Sequence, residues 1–270
     1  MSQLLKSVAV KTVKPLVSER AWTALRRAGG VKPSPRKSPP SPAQRRRQAL
    51  RQMDLTELAL HFKTDKAGHH HYTQHYERHL SHLRGQQFTL LEIGIGGYAR
   101  QGKGGASLRM WKHYFQRAQI IGLDIQDKSF VEAARIKAYQ GSQTDEDLLH
   151  RIVAEAGGVH VVVDDGSHRP EHIRETFRIL FPLLDDAGIY VIEDTQTSYW
   201  PQWGGSTDLQ SRETTMALVK DLLDGLQYEE FEGAHEPSYS DQHVVAVHAY
   251  HNLVLIEKGL NNEGSTRGKR

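Results

Sequence analysis

The sequence predicts an α/β fold on a mostly parallel sheet, and three observations carry that reading. Beyond residue 87, short apolar runs alternate five times with helix-like segments. The runs are apolar throughout instead of alternating, as in strands covered on both faces. The last two, 243–249 and 253–257, face each other across Tyr250-His251-Asn252, so they read as a hairpin that adds an antiparallel edge.

Taken in order, the parallel strands are expected at 88–95, 119–125, 138–141, 159–164 and 189–193. Helices are expected at 106–115, 128–135, 145–156, 170–183 and 207–226. Ahead of the first strand, Asp54 can cap a short helix over 55–62. Tyr76, Leu80 and Leu83 share one face of a second helix over 73–83.

Composition sets the outer limits. The chain has 270 residues, 38% of them apolar, and no cysteine, which excludes disulfides, thiolate metal sites and a cysteine nucleophile. No apolar run approaches the ~20 residues of a spanning helix, and a cytoplasmic location is expected. The net charge of +3 hides a division: residues 1–52 carry thirteen Lys/Arg against the single acid Glu19, and the remainder carries a net −9. That is not the charge pattern of a nucleic-acid binder, and none is expected as a partner.

Residues 1–52 therefore read as a basic, Pro-rich, disordered tail. Residues 4–27 could form a basic amphipathic helix, and 31–43 hold five prolines and three serines. Weak contact with an anionic membrane surface, or an organelle-targeting role, are the functional alternatives for it. A helical segment over 53–86, a main domain over 87–260 and a disordered 261–270 complete the expected organisation.

The first strand ends in Glu92-Ile93-Gly94-Ile95-Gly96-Gly97. Glycines after a first strand let a ligand approach the backbone at the carboxyl edge of the sheet. Gly94, Gly96 and Ala99 match a dinucleotide fingerprint, and Gly97, Gly102 and Lys103 imitate a phosphate-binding loop. Both fail on context: the stretch 97–105 cannot start a helix at once, and Gly104 stands where the loop needs Ser or Thr. S-adenosylmethionine (SAM) fits better, with Glu92 beside the turn and Asp124 ending the second strand, where a carboxylate can hold a ribose diol.

The fourth strand ends Asp164-Asp165-Gly166-Ser167-His168 and the fifth Glu193-Asp194-Thr195. Carboxylates on the tips of neighbouring strands repel one another, and a divalent cation relieves this; all-oxygen ligands suit Mg²⁺. His168, just beyond, could take a proton. The plainer alternative is that Asp164 or Ser167 caps the helix after Pro170.

These segments, with Lys63-Thr64-Asp65-Lys66, Tyr72-Thr73, Tyr76-Glu77, 104–111, Gly122-Leu123-Asp124-Ile125 and Gln140-Gly141-Ser142-Gln143, resemble the macrocin and mycinamicin sugar O-methyltransferases over about residues 55–260. The resemblance implies a class I SAM-methyltransferase (Rossmann-like) fold, a seven-stranded sheet with the terminal hairpin. It implies Mg²⁺ on Asp165, Glu193 and Asp194, His168 as general base, and a SAM site lined by Thr64, Gly94, Tyr98, Asp124, Ser142, Gln143 and Asp164. The expected activity is methylation of a sugar hydroxyl on a glycosylated natural product or polysaccharide, by a homo-oligomer (dimer or tetramer). A Mg²⁺-dependent phenolic or catechol O-methyltransferase, a non-catalytic SAM-fold binding protein and an NAD-dependent reductase are the alternatives.

Two features stand beside these motifs. His71, His75 and His79 follow one another at helical spacing after His69-His70, which could be a helix-borne metal site. Without a carboxylate nearby to orient them, a solvated face or a substrate mouth is expected. Trp200 and Trp203, just past the acidic cluster, offer flat apolar rings suited to sugar faces.

Overall fold

The computed structural model describes residues 39–98 and 102–267, with Arg20 and Ala24. The helix expected over 4–27 therefore lies outside the described residues, those two excepted. The chain divides into two units, residues 1–47 and 48–270. In the first, Ser41 and Gln44 bond each other's backbone amides at 3.2 and 2.7 Å, a reciprocal cap that opens helix α1, Pro42–Gln52. Order thus begins inside the stretch expected to be a disordered tail. Proline at the first helical position carries no cost, and within the second unit Leu50 of α1 is buried.

In the second unit, α2 (Leu55–Phe62) starts from a capping box between Asp54 and Glu57 and stops at Lys63, whose φ of 59° turns the chain out of the helix. Next come α3 (Thr73–Leu80), β1 (Thr89–Ile93), α4 (Ala106–Tyr114), β2 (Gln119–Asp124), β3 (Ile136–Gln140), α5 (Glu146–Ala156) and β4 (Val159–Asp164). The chain continues through α6 (Pro170–Leu183), β5 (Leu184–Glu193), α7 (Thr215–Gly225), α8 (Tyr239–His243), β6 (Val244–Tyr250) and β7 (Leu253–Lys258).

The seven strands form one sheet in the order β3-β2-β1-β4-β5-β7-β6. The first five are parallel, and β7 runs antiparallel to both β5 and β6. This is the sheet that the resemblance implied. Side chains alternate between two cores. Leu90, Ile120, Val161, Val191 and Leu255 pack under α2, α3 and α4 with Leu58, Tyr76 and Trp111. Leu91, Ile121, Val162, Ile192 and Ile256 pack under α5, α6 and α7 with Leu149, Phe177 and Leu222. Each such side chain contributes about 1.5–3 kcal/mol by leaving water, which is why the strands read as unbroken apolar runs.

Two expected helices and two boundaries differ. Over 128–135 only a single 3-10 turn, Ser129–Val131, forms. Asp127 accepts from Ser129 N at 2.8 Å, Glu132 accepts from Ala138 N at 3.1 Å, and Arg135 takes a φ of 66°, so side chains claim the backbone in place of a helix. The helix expected over 207–226 starts only at Thr215, where Thr214 caps it. Strand β5 begins at Leu184, earlier than expected, and β3 occupies 136–140. Residues 261–267, expected to be disordered, are tied down: Asn261 Nδ2 donates to Asp241 O at 2.9 Å, and the amides of Gly264 and Thr266 donate to Glu229 and Glu230.

Candidate functional site

The sheet order reverses between β1 and β4, and ligands of such sheets bind outside the carboxyl ends of the strands at that point. Gly94 makes the junction there. Its amide donates to Leu123 O at 2.8 Å, and a Cβ on it would sit 2.1 Å from the carbonyl oxygen of Asp165. With a φ of +88° as well, the position admits only glycine. The loop beyond it closes through Gly105, whose amide donates to Ile95 O at 2.8 Å, and α4 starts only at Ala106. Among the described residues no helix N-terminus follows the first glycines at once, as a bound pyrophosphate would require.

A cavity of about 440 Å³ opens beside this turn, lined by Gly94, Tyr98, Asp124, Gly141, Ser142, Gln143, Ser167, His168 and Trp203, among others. Asp124 is buried and organises its wall: Oδ2 accepts from Ile95 N at 2.9 Å and from the Tyr98 hydroxyl at 3.0 Å, and Oδ1 accepts from Gln126 N at 2.9 Å. An adjoining cavity of about 780 Å³ is lined by Thr64, Gly96, Lys103, Asp165, Asp194 and, again, Gly94, Tyr98 and His168. Both volumes suit ligands of drug-like size.

Behind the second cavity stands an ion cluster that the motifs did not announce. Lys66 is fully buried, and its Nζ lies 2.6 Å from Asp165 Oδ2, 2.7 Å from Glu193 Oε1 and 3.2 Å from Glu92 Oε1. Burial lowers its hold on the proton, but the pull of Asp165, Glu193 and Glu92 holds the ammonium well above the ordinary lysine range. The Tyr76 hydroxyl also donates to Glu193 Oε1. For Glu193 burial wins, with Asp165 adding to it, and its carboxyl is pushed well up.

Asp194 stands nearer the cavity. Tyr72 donates to its Oδ1 at 2.7 Å, His70 Nε2 lies 3.6 Å from Oδ1 and His168 Nε2 lies 3.8 Å from Oδ2. Burial raises the Asp194 carboxyl, yet the Tyr72 hydrogen bond and the two imidazoles outweigh it and leave it below its usual range. Asp165, His168 and Asp194 each bring one ligand atom within 4.8 Å of the others. His168 Nδ1 is buried without a hydrogen-bond partner. Asp194 and His168 both hold a φ of 55°, a conformation that costs a non-glycine residue about 1–3 kcal/mol. Four carboxylates, Glu92, Asp165, Glu193 and Asp194, stand against the one ammonium of Lys66, an excess of negative charge that a divalent cation would neutralise.

Of the expected site residues, Thr64, Gly94, Gly96, Tyr98, Asp124, Ser142 and Gln143 line one cavity or both, and Asp165, His168 and Asp194 meet at the second. Glu92, Asp164 and the expected metal ligand Glu193 are set apart. None lines either cavity: Glu92 and Glu193 are buried on Lys66, and Asp164 is buried between Gln143 Nε2 and the Tyr190 hydroxyl, each at 3.1 Å. Asp164 acts on the cavity only through Gln143, whose Oε1 accepts from Ser167 N at 2.8 Å. Burial pushes the Asp164 carboxyl up to about 7. Lys66, Tyr72 and Tyr76 all stand in segments that carry the resemblance, Lys63-Thr64-Asp65-Lys66, Tyr72-Thr73 and Tyr76-Glu77, but motif reading gave none of them a role.

The histidines of α3 are not a solvated face. His75 stacks on Tyr250 with centroids 3.7 Å apart, and His79 packs against His248 at 4.3 Å. Trp200 and Trp203 are part-exposed, and the Trp203 ring meets His168 edge-on at 6.1 Å.

No family model matches the chain. It is 48% identical over 219 residues to the demethylmacrocin O-methyltransferase of Streptomyces fradiae, an alignment covering 80% of this chain and 55% of that protein. It is 46% identical to the mycinamicin VI 2''-O-methyltransferase of Micromonospora griseorubida, covering 79% and 55%. Among solved structures, the MycE methyltransferase of the mycinamycin biosynthetic pathway, in complex with Mg, SAH and mycinamycin VI, superposes with a TM-score of 0.76 at 46% identity, covering 80% of this chain and 56% of that one. The chain spans about half the length of these relatives.

Proposed function

The chain is a homologue of the macrocin- and mycinamicin-type sugar O-methyltransferases over about half their length, and on that premise we propose that it transfers the methyl group of SAM to a sugar hydroxyl of a glycosylated natural product or polysaccharide, with Mg²⁺ as cofactor. One observation carries the reading. Asp165, His168 and Asp194 meet at the rim of one cavity, and His168, Gly94 and Tyr98 also line the other.

In this reading SAM occupies the smaller cavity along Gly94 and Tyr98, with Asp124 on its ribose and Ser142 and Gln143 completing the lining, and it meets Gly96 and Thr64 where the larger cavity adjoins. Glu92 and Asp164 support the walls from behind. The acceptor occupies the larger cavity, and Trp203, on the wall of the smaller one and edge-on to His168, offers a flat apolar ring where the two adjoin. Asp165, Glu193 and Asp194 would hold Mg²⁺. Lys66 and Tyr76 both bond Oε1 of Glu193, which leaves Oε2 as the oxygen for a cation. Bound there, the ion would supply Lewis acidity that makes a sugar hydroxyl a readier proton donor.

His168 takes the hydroxyl proton on its ring. The imidazolium so formed stays within reach of Asp194 Oδ2, 3.8 Å from Nε2, so the charge is balanced where it arises. Lys66 keeps the carboxylates from being driven apart, and the Tyr72 hydroxyl fixes Asp194. A homo-oligomer belongs to the same proposal; it is supported by β6, which forms the sheet edge with no further strand beside it among the described residues.

The test is mass spectrometry of glycoside acceptors incubated with SAM and the protein, with Mg²⁺ or with EDTA. A product one methyl heavier, lost in EDTA and restored by added Mg²⁺, is expected. Full turnover in EDTA would give the acidic cluster another purpose, and catechol acceptors methylated in preference to glycosides would move the enzyme to the phenolic class.

A further inference from the structure

We propose that His79, His248 and Glu257 form a second metal site, for a first-row transition ion of the Zn²⁺ kind, where α3 covers the terminal hairpin. The pairing of β6 with β7 sets Ala246 opposite Glu257 and His248 opposite Leu255, so His248 and Glu257 are diagonal neighbours on one face of the hairpin. Tyr250, two residues on, shares that face. From α3, His75 and His79 come down on it one helical turn apart.

The distances suit an ion. His248 Nε2 lies 2.8 Å from Glu257 Oε1, and His79 Nδ1 lies 3.8 Å from the same oxygen. One ligand atom from each of the three residues falls within 4.8 Å of the others. Ligands about 2.1 Å from a tetrahedral Zn²⁺ stand about 3.4 Å apart, so side-chain shifts of an ångström or so close the set. Two imidazoles and one carboxylate are a donor set for borderline metals, whereas the all-oxygen cluster of the other site suits Mg²⁺. A metal-bound histidine is normally oriented through its second nitrogen. Here His79 Nε2 is on the Tyr250 hydroxyl at 2.8 Å, and His75 stacks on that tyrosine ring. Burial, with His248 alongside, also holds His79 below the usual histidine range. An ion here would pin α3 to the sheet edge, three residues from Tyr76, whose hydroxyl holds Glu193.

The experiment uses the full chain without a histidine tag, stripped of metal and returned to excess Mg²⁺, so that the acidic cluster is served throughout. Co²⁺ is titrated in and its visible ligand-field absorption followed, then Zn²⁺ is added. One Co²⁺ per chain, displaced by Zn²⁺, is expected. His248→Ala should weaken binding by at least the roughly 10–100-fold that lost outer-shell support costs a metal site, and Asp165→Asn should leave it within about twofold. If His248→Ala does not fold by circular dichroism, Glu257→Gln takes its place and the same loss is required of it. Absence of Co²⁺ binding by the wild type, or binding that survives the hairpin substitution, overturns the site.

Discussion

Lys66 and His168 make opposite demands on the protein. An ammonium with no exposed surface is tolerable only among counter-charges, and Lys66 has three carboxylates within 3.2 Å. Lys66→Met should destabilise the fold by about 3–5 kcal/mol, the cost of leaving buried carboxylates without their cation; urea unfolding measures it, and a change under 1 kcal/mol would mean that the cluster reorganises freely. For His168 the test is chemical. His168→Asn keeps a residue tolerant of positive φ, so the fold should hold while kcat falls roughly 10²–10⁴-fold and SAM affinity stays within a few-fold. Near wild-type turnover would remove His168 as the base. The two residues differ in legibility. His168 follows an acidic pair on a strand tip and stands out in the sequence. Lys66 follows a helix that ends at a solvent-like Lys-Thr-Asp segment, and two of its three partners, Asp165 and Glu193, lie 99 and 127 residues away.

Elements were legible wherever burial was two-sided. The apolar runs became β1, β2, β4, β5 and β7 because nothing but strand pairing and helix cover satisfies them. They failed to be legible where side chains compete with the backbone, as at Asp127 and Glu132, because a local count of helix formers does not see a carboxylate accepting from an amide. The hinge of the site is the end of β1. Gly94→Ala would force a Cβ to within 2.1 Å of Asp165 O at a φ of +88°. Strain and overpacking together should cost roughly 2–5 kcal/mol, with SAM binding lost below the melting transition. Calorimetric titration with SAM on the folded variant checks this, and normal affinity would show that the β1–β4 junction does not shape the cavity.

At the scale of the molecule, the sheet places every candidate catalytic group at one edge, and the segment past β7 closes the far side. Asn261 Nδ2 bridges Leu226 O and Asp241 O, so Asn261→Ala should cost about 1 kcal/mol and lower Tm by about 2–4 °C without altering turnover. An unchanged Tm would mean that water replaces both bonds at no loss. Composition hid this closure, since 261–267 is short, polar and Gly-containing and its partners are backbone carbonyls and glutamates. The buried lysine has a further meaning for a chain emerging from the ribosome. Its α2–α3 neighbourhood is made early, but Glu193 arrives 127 residues later. Until then the ammonium lacks part of its counter-charge, since β1 brings only Glu92, and packing α2 and α3 onto β1 would bury a cation short of Asp165 and Glu193. The nascent protein must therefore keep this face open and wet until β5 is inserted, and the drying of the catalytic pocket is among its last folding events.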